Sequence, residues 1–197
     1  MSPVDSSRPG SEELRSFFDG APFQMGITEL TPDHDLLLVS INPATAAATG
    51  MRVEDMQGRC IGELGLTGPR KGVWLERYLE ALATQQPVVF EQASGVPGSD
   101  DWWQVTLTPL GTGPSGQPRF SYMVQDITQR KRDERTQIAL YRISEAAQLE
   151  ATLSMLFSRI HEIVGGLLPA RNFFVALYNR ARDELSFPYF VDEFDLQ

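Results

Sequence analysis

Residues 102–110 read Trp102-Trp103-Gln104-Val105-Thr106-Leu107-Thr108-Pro109-Leu110. Trp103, Val105 and Leu107 fall on one parity, and Gln104, Thr106 and Thr108 on the other. That period of two marks a strand with one face turned to a core. Phe120 to Val124 is a second strand after it, and Pro87 to Gln92, with Val88, Val89 and Phe90, a third before it. Further toward the N-terminus, Phe23 to Leu30 and Asp35 to Ile41 flank Thr31-Pro32-Asp33-His34-Asp35, whose turn formers make the pair a hairpin. Between the two groups of strands the pattern is helical. Asn42-Pro43 breaks the strand, with Pro43 in the first turn of a short helix capped by Asn42 and ended by Gly50. Short turns follow at 54–56 and 60–64. Lys71 to Thr84 is then a longer helix, with Val73, Trp74, Tyr78, Leu79 and Leu82 at helical spacing. No strand–helix repeat runs through this order, so a doubly wound parallel sheet is excluded. An α+β fold is expected, with a five-stranded antiparallel sheet and helices on one face.

The two ends have a different character. Residues 1–10, with Pro3, Pro9, Gly10 and three serines, read as a flexible tail. Ser11, followed by Glu12 and Glu13, opens a short helix carrying Leu14, Phe17 and Phe18. By parity Trp102 lies on the outer sheet face, opposite Trp103. A tryptophan there calls for cover by Leu14, Phe17 and Phe18 or by a dimer partner. Beyond Val124, Asp126 to Gln137 is almost wholly polar, and neither Gly nor Pro occurs before Gly165. This predicts a continuous helix or two in line, with a weak heptad seam at Ile138, Tyr141 and Ala146 or Glu145. A second amphipathic pattern runs through Leu153, Leu156, Phe157, Ile160 and Val164 to Gly165-Gly166. Asn172 to Tyr178 and Leu185 to Val191 read as two final strands.

Composition bounds the rest. The chain has 197 residues, 42% hydrophobic and 22% charged, which excludes a mostly disordered chain and a coiled-coil rod. No run of eighteen apolar residues occurs, so no membrane span is expected. Met1 to Gly10 lacks the apolar segment of a secretory signal, and Cys60 is the single cysteine, so a cytoplasmic location is expected. A formal charge of −9 argues against nucleic acid as the main partner. One cysteine and two distant histidines leave too few ligands for structural zinc. Gly111-Thr112-Gly113-Pro114-Ser115-Gly116 matches G-x-G-x-x-G literally. Pro114 sits inside it and a strand follows, so it reads as a hairpin loop and not as a phosphate cradle. Arg130, Lys131, Arg132 and Arg135 alternate with Asp133 and Glu134 as on a solvated helix face. No nucleophile–base pair or metal cluster stands in a credible context, so no catalytic activity is expected.

Over roughly residues 11–128 the chain resembles a PAS domain. Asn42-Pro43-Ala44 followed by Thr49-Gly50 looks like that family's "NPAF…TG" stretch. Glu54 to Gly58 and Ile61 to Leu64 are similar to the segment that follows it. Trp103 to Pro109 looks like its "W…V…P" strand, and Asp126-Ile127-Thr128 with Arg130-Lys131 like its closing "DITERK" motif. The resemblance implies a cavity between sheet and long helix, ringed here by Trp74, Tyr78, Leu82, Trp103, Val105, Phe120 and Tyr122. Equally, these residues can simply fill a core. It implies a signal-transfer role for Asp126, Ile127 and Thr128, with Asp126 paired to Arg130. The fold motif would be Asn42, Pro43 and Gly50. Haem is not expected, because residues 71–84 offer no axial histidine. Covalent flavin is not expected either: Cys60 lacks the "N-C-R-F-L-Q" surroundings of the family's light sensors and reads as a small inert hydrophobe. The cofactor, if any, stays unknown.

Residues 149–197 resemble the opening of a GAF domain, on Leu153 to Pro169, Asn172 to Tyr178 and Leu185 to Glu193. Within it, Ser158 to Glu162 resembles only loosely the phosphorylated helix of histidine kinases, so His161 reads as a surface or partly buried histidine. The expected organisation is a tail at 1–10, a PAS domain at 11–128, a connecting signalling helix at 129–148, and a truncated GAF segment at 149–197. The resemblance implies a bacterial sensory module in signal transduction, homodimeric, with a possible small-molecule ligand. A ligand-free interaction module, and a fragment of a sensor histidine kinase or diguanylate cyclase, remain as alternatives.

Overall fold

The computed structural model describes residues 10–65, 71–94 and 98–193. The tail expected at 1–10 lies, but for Gly10, outside the described residues. The chain divides into two compact units, Met1–Thr128 and Gln129–Gln197.

In the first unit, helix α1 (Ser11–Gly20) leads into strand β1 (Gln24–Leu30), the turn and strand β2 (Leu36–Ile41). Thr31 closes the turn twice. Its N–H donates to Asp35 O at 2.9 Å, and its Oγ1 accepts from Asp35 N–H at 3.0 Å. His34 takes a left-handed φ of 57° there. Helices α2 (Pro43–Thr49), α3 (Val53–Met56) and α4 (Lys71–Thr84) follow, then strands β3 (Val88–Ala93), β4 (Trp102–Thr112) and β5 (Pro118–Asp126). All pairings are antiparallel, in the order β2-β1-β5-β4-β3. One edge is closed by the chain itself: Gly58 N–H donates to Leu38 O, Leu38 N–H to Arg59 O and Ile61 N–H to Leu36 O. That cover satisfies backbone groups that an open edge would leave bare.

The core sits between the sheet and the helices. Leu30, Leu38, Ala46, Met56, Tyr78, Ala81, Val105, Leu107, Phe120 and Val124 are buried in it. The long helix buries Tyr78 and Ala81, with Trp74, Leu75 and Leu82 partly covered. Val73 and Leu79 stay exposed, although their spacing predicts burial. A 3.6-residue helix with large rings at 74 and 78 turns those two out of the stripe.

The second unit comprises helix α5 (Thr128–Leu149, its first residue belonging to the first unit), helix α6 (Leu153–Gly165) and the hairpin of strands β6 (Phe173–Asn179) and β7 (Glu184–Val191). Thr152 caps α6, its Oγ1 accepting from Met155 N–H. One face of the hairpin packs on α6 through His161, which stacks on Phe173 at 4.8 Å. The other face leaves Phe174, Leu185 and Phe187 exposed. Among the described residues no helix is long and apolar enough to cross a membrane.

Candidate functional site

Asn42 is fully buried between α1, β1 and α2. Its Oδ1 accepts from Met25 N–H at 3.0 Å, Thr45 N–H at 3.1 Å and Thr45 Oγ1 at 3.0 Å. Its Nδ2 donates to Phe23 O at 2.9 Å and Phe18 O at 3.3 Å. Both halves of the amide are therefore used, as burial demands. Pro43 starts α2 without needing an N–H. Gly50 ends it at φ 70°, its N–H donating to Ala46 O and Ala47 O.

From this hub a polar thread runs into the core. Since Thr45 gives its proton to Asn42, the Tyr122 hydroxyl donates to Thr45 Oγ1 at 3.2 Å. Tyr78, on α4, shares a 3.0 Å hydrogen bond with Thr28 of β1. Burial raises both phenols, Tyr122 to about 12, against the opposing effect of its bond to Thr45; Tyr78 rises further. Both are neutral near pH 7 and act as hydrogen-bonding spacers. Tyr78 and Phe120 meet edge to face at 5.0 Å.

The residues expected around a cavity thus come together. Tyr78, Val105 and Phe120 are closed to solvent at 1%, 0% and 0%, and Tyr122 is buried. Trp74, Leu82 and Trp103 pack on them from the rim. Sequence reasoning passed over Thr28 and Thr45, the hydroxyls that answer the two tyrosines. It also passed over Gln92, a polar residue on the inward parity of Val88 and Phe90, which was the available signal.

The closing motif grips the start of β4. Thr128 Oγ1 accepts from Trp102 N–H at 2.9 Å, and Ile127 N–H donates to Trp102 O at 2.8 Å. Asp126 Oδ1 accepts from Thr128 N–H at 2.8 Å. Ile127 and Thr128 are buried. Thus the root of α5 holds both backbone groups of one strand residue. Arg130 lies 3.9 Å from Glu134 along α5.

Trp102 is half-buried on the face opposite Trp103. Of the residues expected to cover it, Leu14 and Phe17 are 56% and 70% exposed and Phe18 is partly buried. Helix α1 also meets α2, where Phe18 O accepts from Asn42 Nδ2. On α5 the expected seam is covered in part within one chain. Ile138 and Tyr141 are exposed, whereas Ala139 and Ala146, seven apart, are covered. In α6, His161 Nε2 donates to Ala170 O at 2.6 Å, which leaves Nδ1 to accept from Tyr189 at 3.0 Å. Cys60 is partly buried and bridges Leu37 of β2. Among the described residues, no three His, Cys, Asp or Glu side chains gather as a metal site would need.

No curated protein matches this sequence. Among solved structures, the chain is similar to a domain of an HTR-like protein from Haloarcula marismortui (16% identity, 54% of this chain and 99% of that one, TM-score 0.44). It is also similar to a sensory box sensor histidine kinase from Vibrio cholerae (18%, 57% and 87%, TM-score 0.42) and to the PAS domain of Bordetella pertussis BvgS (17%, 64% and 90%, TM-score 0.42). Residues 21–132 match the model of the PAS fold family, which takes in the whole sheet, α2 to α4 and the clasp at Thr128; the chain belongs to that family.

Proposed function

We propose that this protein is a sensory and regulatory module of signal transduction, in which a change around the Tyr78–Phe120 core passes through β4 and the Asp126-Ile127-Thr128 clasp into α5. The two hydrogen bonds that tie Ile127 and Thr128 to the backbone of Trp102 carry this reading. Any shift of β4 along the sheet must either move the root of α5 or break one of these hydrogen bonds. In this reading Ile138 and Tyr141, both exposed, meet a second copy in a cytoplasmic homodimer. Residues 149–197 are the opening of a GAF-like unit, and the output lies in a further domain of a kinase or cyclase type. A ligand-free dimerisation module is the second reading, favoured by the closed core around Tyr78, Val105 and Phe120. Native mass spectrometry separates the two by a retained small molecule.

Thr128→Val tests the clasp. It keeps the side-chain shape and removes the acceptor for Trp102 N–H. Hydrogen exchange at Trp102 and in the first turns of α5 is expected to rise about fivefold, the worth of one hydrogen bond. Exchange at Val105 and Phe120 is expected to hold. Unchanged exchange at Trp102 and α5 would sink the proposed route.

A further inference from the structure

The hydrogen bonds around Asn42 run in one direction. Asn42 Oδ1 can only accept, so the Thr45 hydroxyl at 3.0 Å gives it the proton, in preference to Met25 O at 3.3 Å. Thr45 Oγ1 is then left as an acceptor, and the Tyr122 hydroxyl at 3.2 Å donates to it. The reverse order would set two lone-pair atoms, Thr45 Oγ1 and Asn42 Oδ1, against each other. At the other end of the amide, Nδ2 donates to Phe23 O at 2.9 Å and to Phe18 O at 3.3 Å. Tyr122, Thr45 and Asn42 are 7%, 6% and 0% exposed, so the chain of bonds is screened from water. It leads from β5, across β1, through the first turn of α2 to the last turn of α1.

That last turn needs a partner. The final carbonyls of a helix have no intrahelical donor, and α1 has acids in its first turn but no basic residue in its last. None of its residues is buried, and Leu14 and Phe17 are exposed. Asn42 therefore serves two helices with one amide: its oxygen meets the positive end of α2 and its nitrogen the negative end of α1. An amide oxygen that accepts a proton makes its own N–H a better donor, and buried hydrogen bonds in series polarise one another. We infer that α1 is a detachable helix whose seat is Asn42 and whose release is set by Tyr122: with the Tyr122 hydroxyl in place α1 stays docked, and a shift of Tyr122 in the core lets it go. The inference goes beyond the sensory reading, which sends the change out through α5, and gives the core a second exit toward the N-terminus. Neither exit needs the other, because the clasp at Trp102 shares no residue with this chain of bonds.

Hydrogen exchange on the full chain, read at the backbone amides of residues 17–20, tests this. Tyr122→Phe removes the first donor and keeps the ring. Exchange at 17–20 is expected to rise about fivefold, the worth of one hydrogen bond. Thr45→Val is expected to match it and Thr45→Ser to keep the wild-type rate. Combining Thr45→Val with Tyr122→Phe is expected to add little, because both cut the same chain. Thr28→Val is the control: it takes the equivalent hydroxyl from Tyr78 and is expected to leave 17–20 at the wild-type rate. The inference fails if Tyr122→Phe leaves 17–20 unchanged, if Thr28→Val raises them as much, if Thr45→Ser behaves as Thr45→Val, or if the two losses add in full. Thr128→Val, which opens the clasp, is expected to leave 17–20 alone, and Tyr122→Phe to leave Trp102 alone. Failure of the α5 route and failure of this one are thereby read apart, and a matching rise at both places would overturn the separate exit.

Discussion

Glu29 lies on the sheet face opposite Thr28 and Leu30, yet its side chain is only 4% exposed. Its carboxylate is held from two sides. Ser115 donates to Oε2 at 2.6 Å, and Arg119 donates Nε and Nη2 to Oε1 at 2.9 and 2.6 Å. The Ser115 bond, then the Arg119 guanidinium, hold the carboxyl below its ordinary value although burial opposes them. Gly113 belongs to the same device, since a Cβ there would run into Glu29 Oε1. The folded state therefore binds this proton less readily than the unfolded chain. The stability it contributes is present above the unfolded value, near 4.5, and is lost as pH falls through the folded one. Glu29→Gln is expected to flatten the acid limb of stability against pH, measured by urea midpoints from pH 7 down to about pH 3. An unchanged acid limb would refute the role. The glycine-rich loop at 111–116 is thus a hairpin tip tied to the sheet. Its glycines serve a turn and one close approach.

At the scale of elements, Gly26 leaves room on β1 for the backbone of β2 and for a side chain of β5. A Cβ at that position would come within 2.5 Å of Ser40 O and of the Tyr122 ring. The vacancy lets the Tyr122 ring cross β1 and reach Thr45 on α2. Gly26→Ala is expected to push Tyr122 aside, break that bond and cost about 1–3 kcal/mol, read as a lower denaturation midpoint. A double-mutant cycle with Tyr122→Phe should show the two losses overlapping, because they remove the same hydrogen bond. Additive losses would mean that Gly26 matters for the backbone alone. Element identity was legible in the chain: alternation at 103–107, Asn42-Pro43 and the turn at 31–35 are local signals. The choice of face was less so. Val73 and Leu79 have the right spacing but lie off the stripe that Tyr78 and Ala81 define.

At the scale of the molecule, the core residues Leu30 to Val124 all lie in the first unit. Among the described residues the second unit has no comparable core. Phe174, Tyr178, Leu185, Phe187 and Phe190 are all more than half exposed on a two-stranded hairpin. A two-stranded sheet with such a surface is marginal alone and is expected to associate through it. Phe174 and Phe187 sit edge to face at 5.9 Å and form the middle of that surface. Replacing both with serine is expected to lower the self-association constant at least several-fold in sedimentation velocity, while leaving the melting of the first unit in place. Association that persists unchanged would place the contact elsewhere, for instance at Ile138 and Tyr141.

The sequence by itself determined the strands, helices and turns, and with them the family. Period, caps and turn residues act over a few neighbours and need no distant partner. It also carried the contiguous motif Asp126-Ile127-Thr128, but not its grip on Trp102, 26 residues away. Only the tertiary structure decided which hydroxyls answer Tyr78 and Tyr122, since Thr28 and Thr45 lie 50 and 77 residues from them. The same holds for the Glu29–Arg119 pair, 90 residues apart, and for the lack of any partner for Gln92. Hydrogen-bond satisfaction in a core belongs to the packed whole. No local pattern encodes which groups find a partner once the layers close.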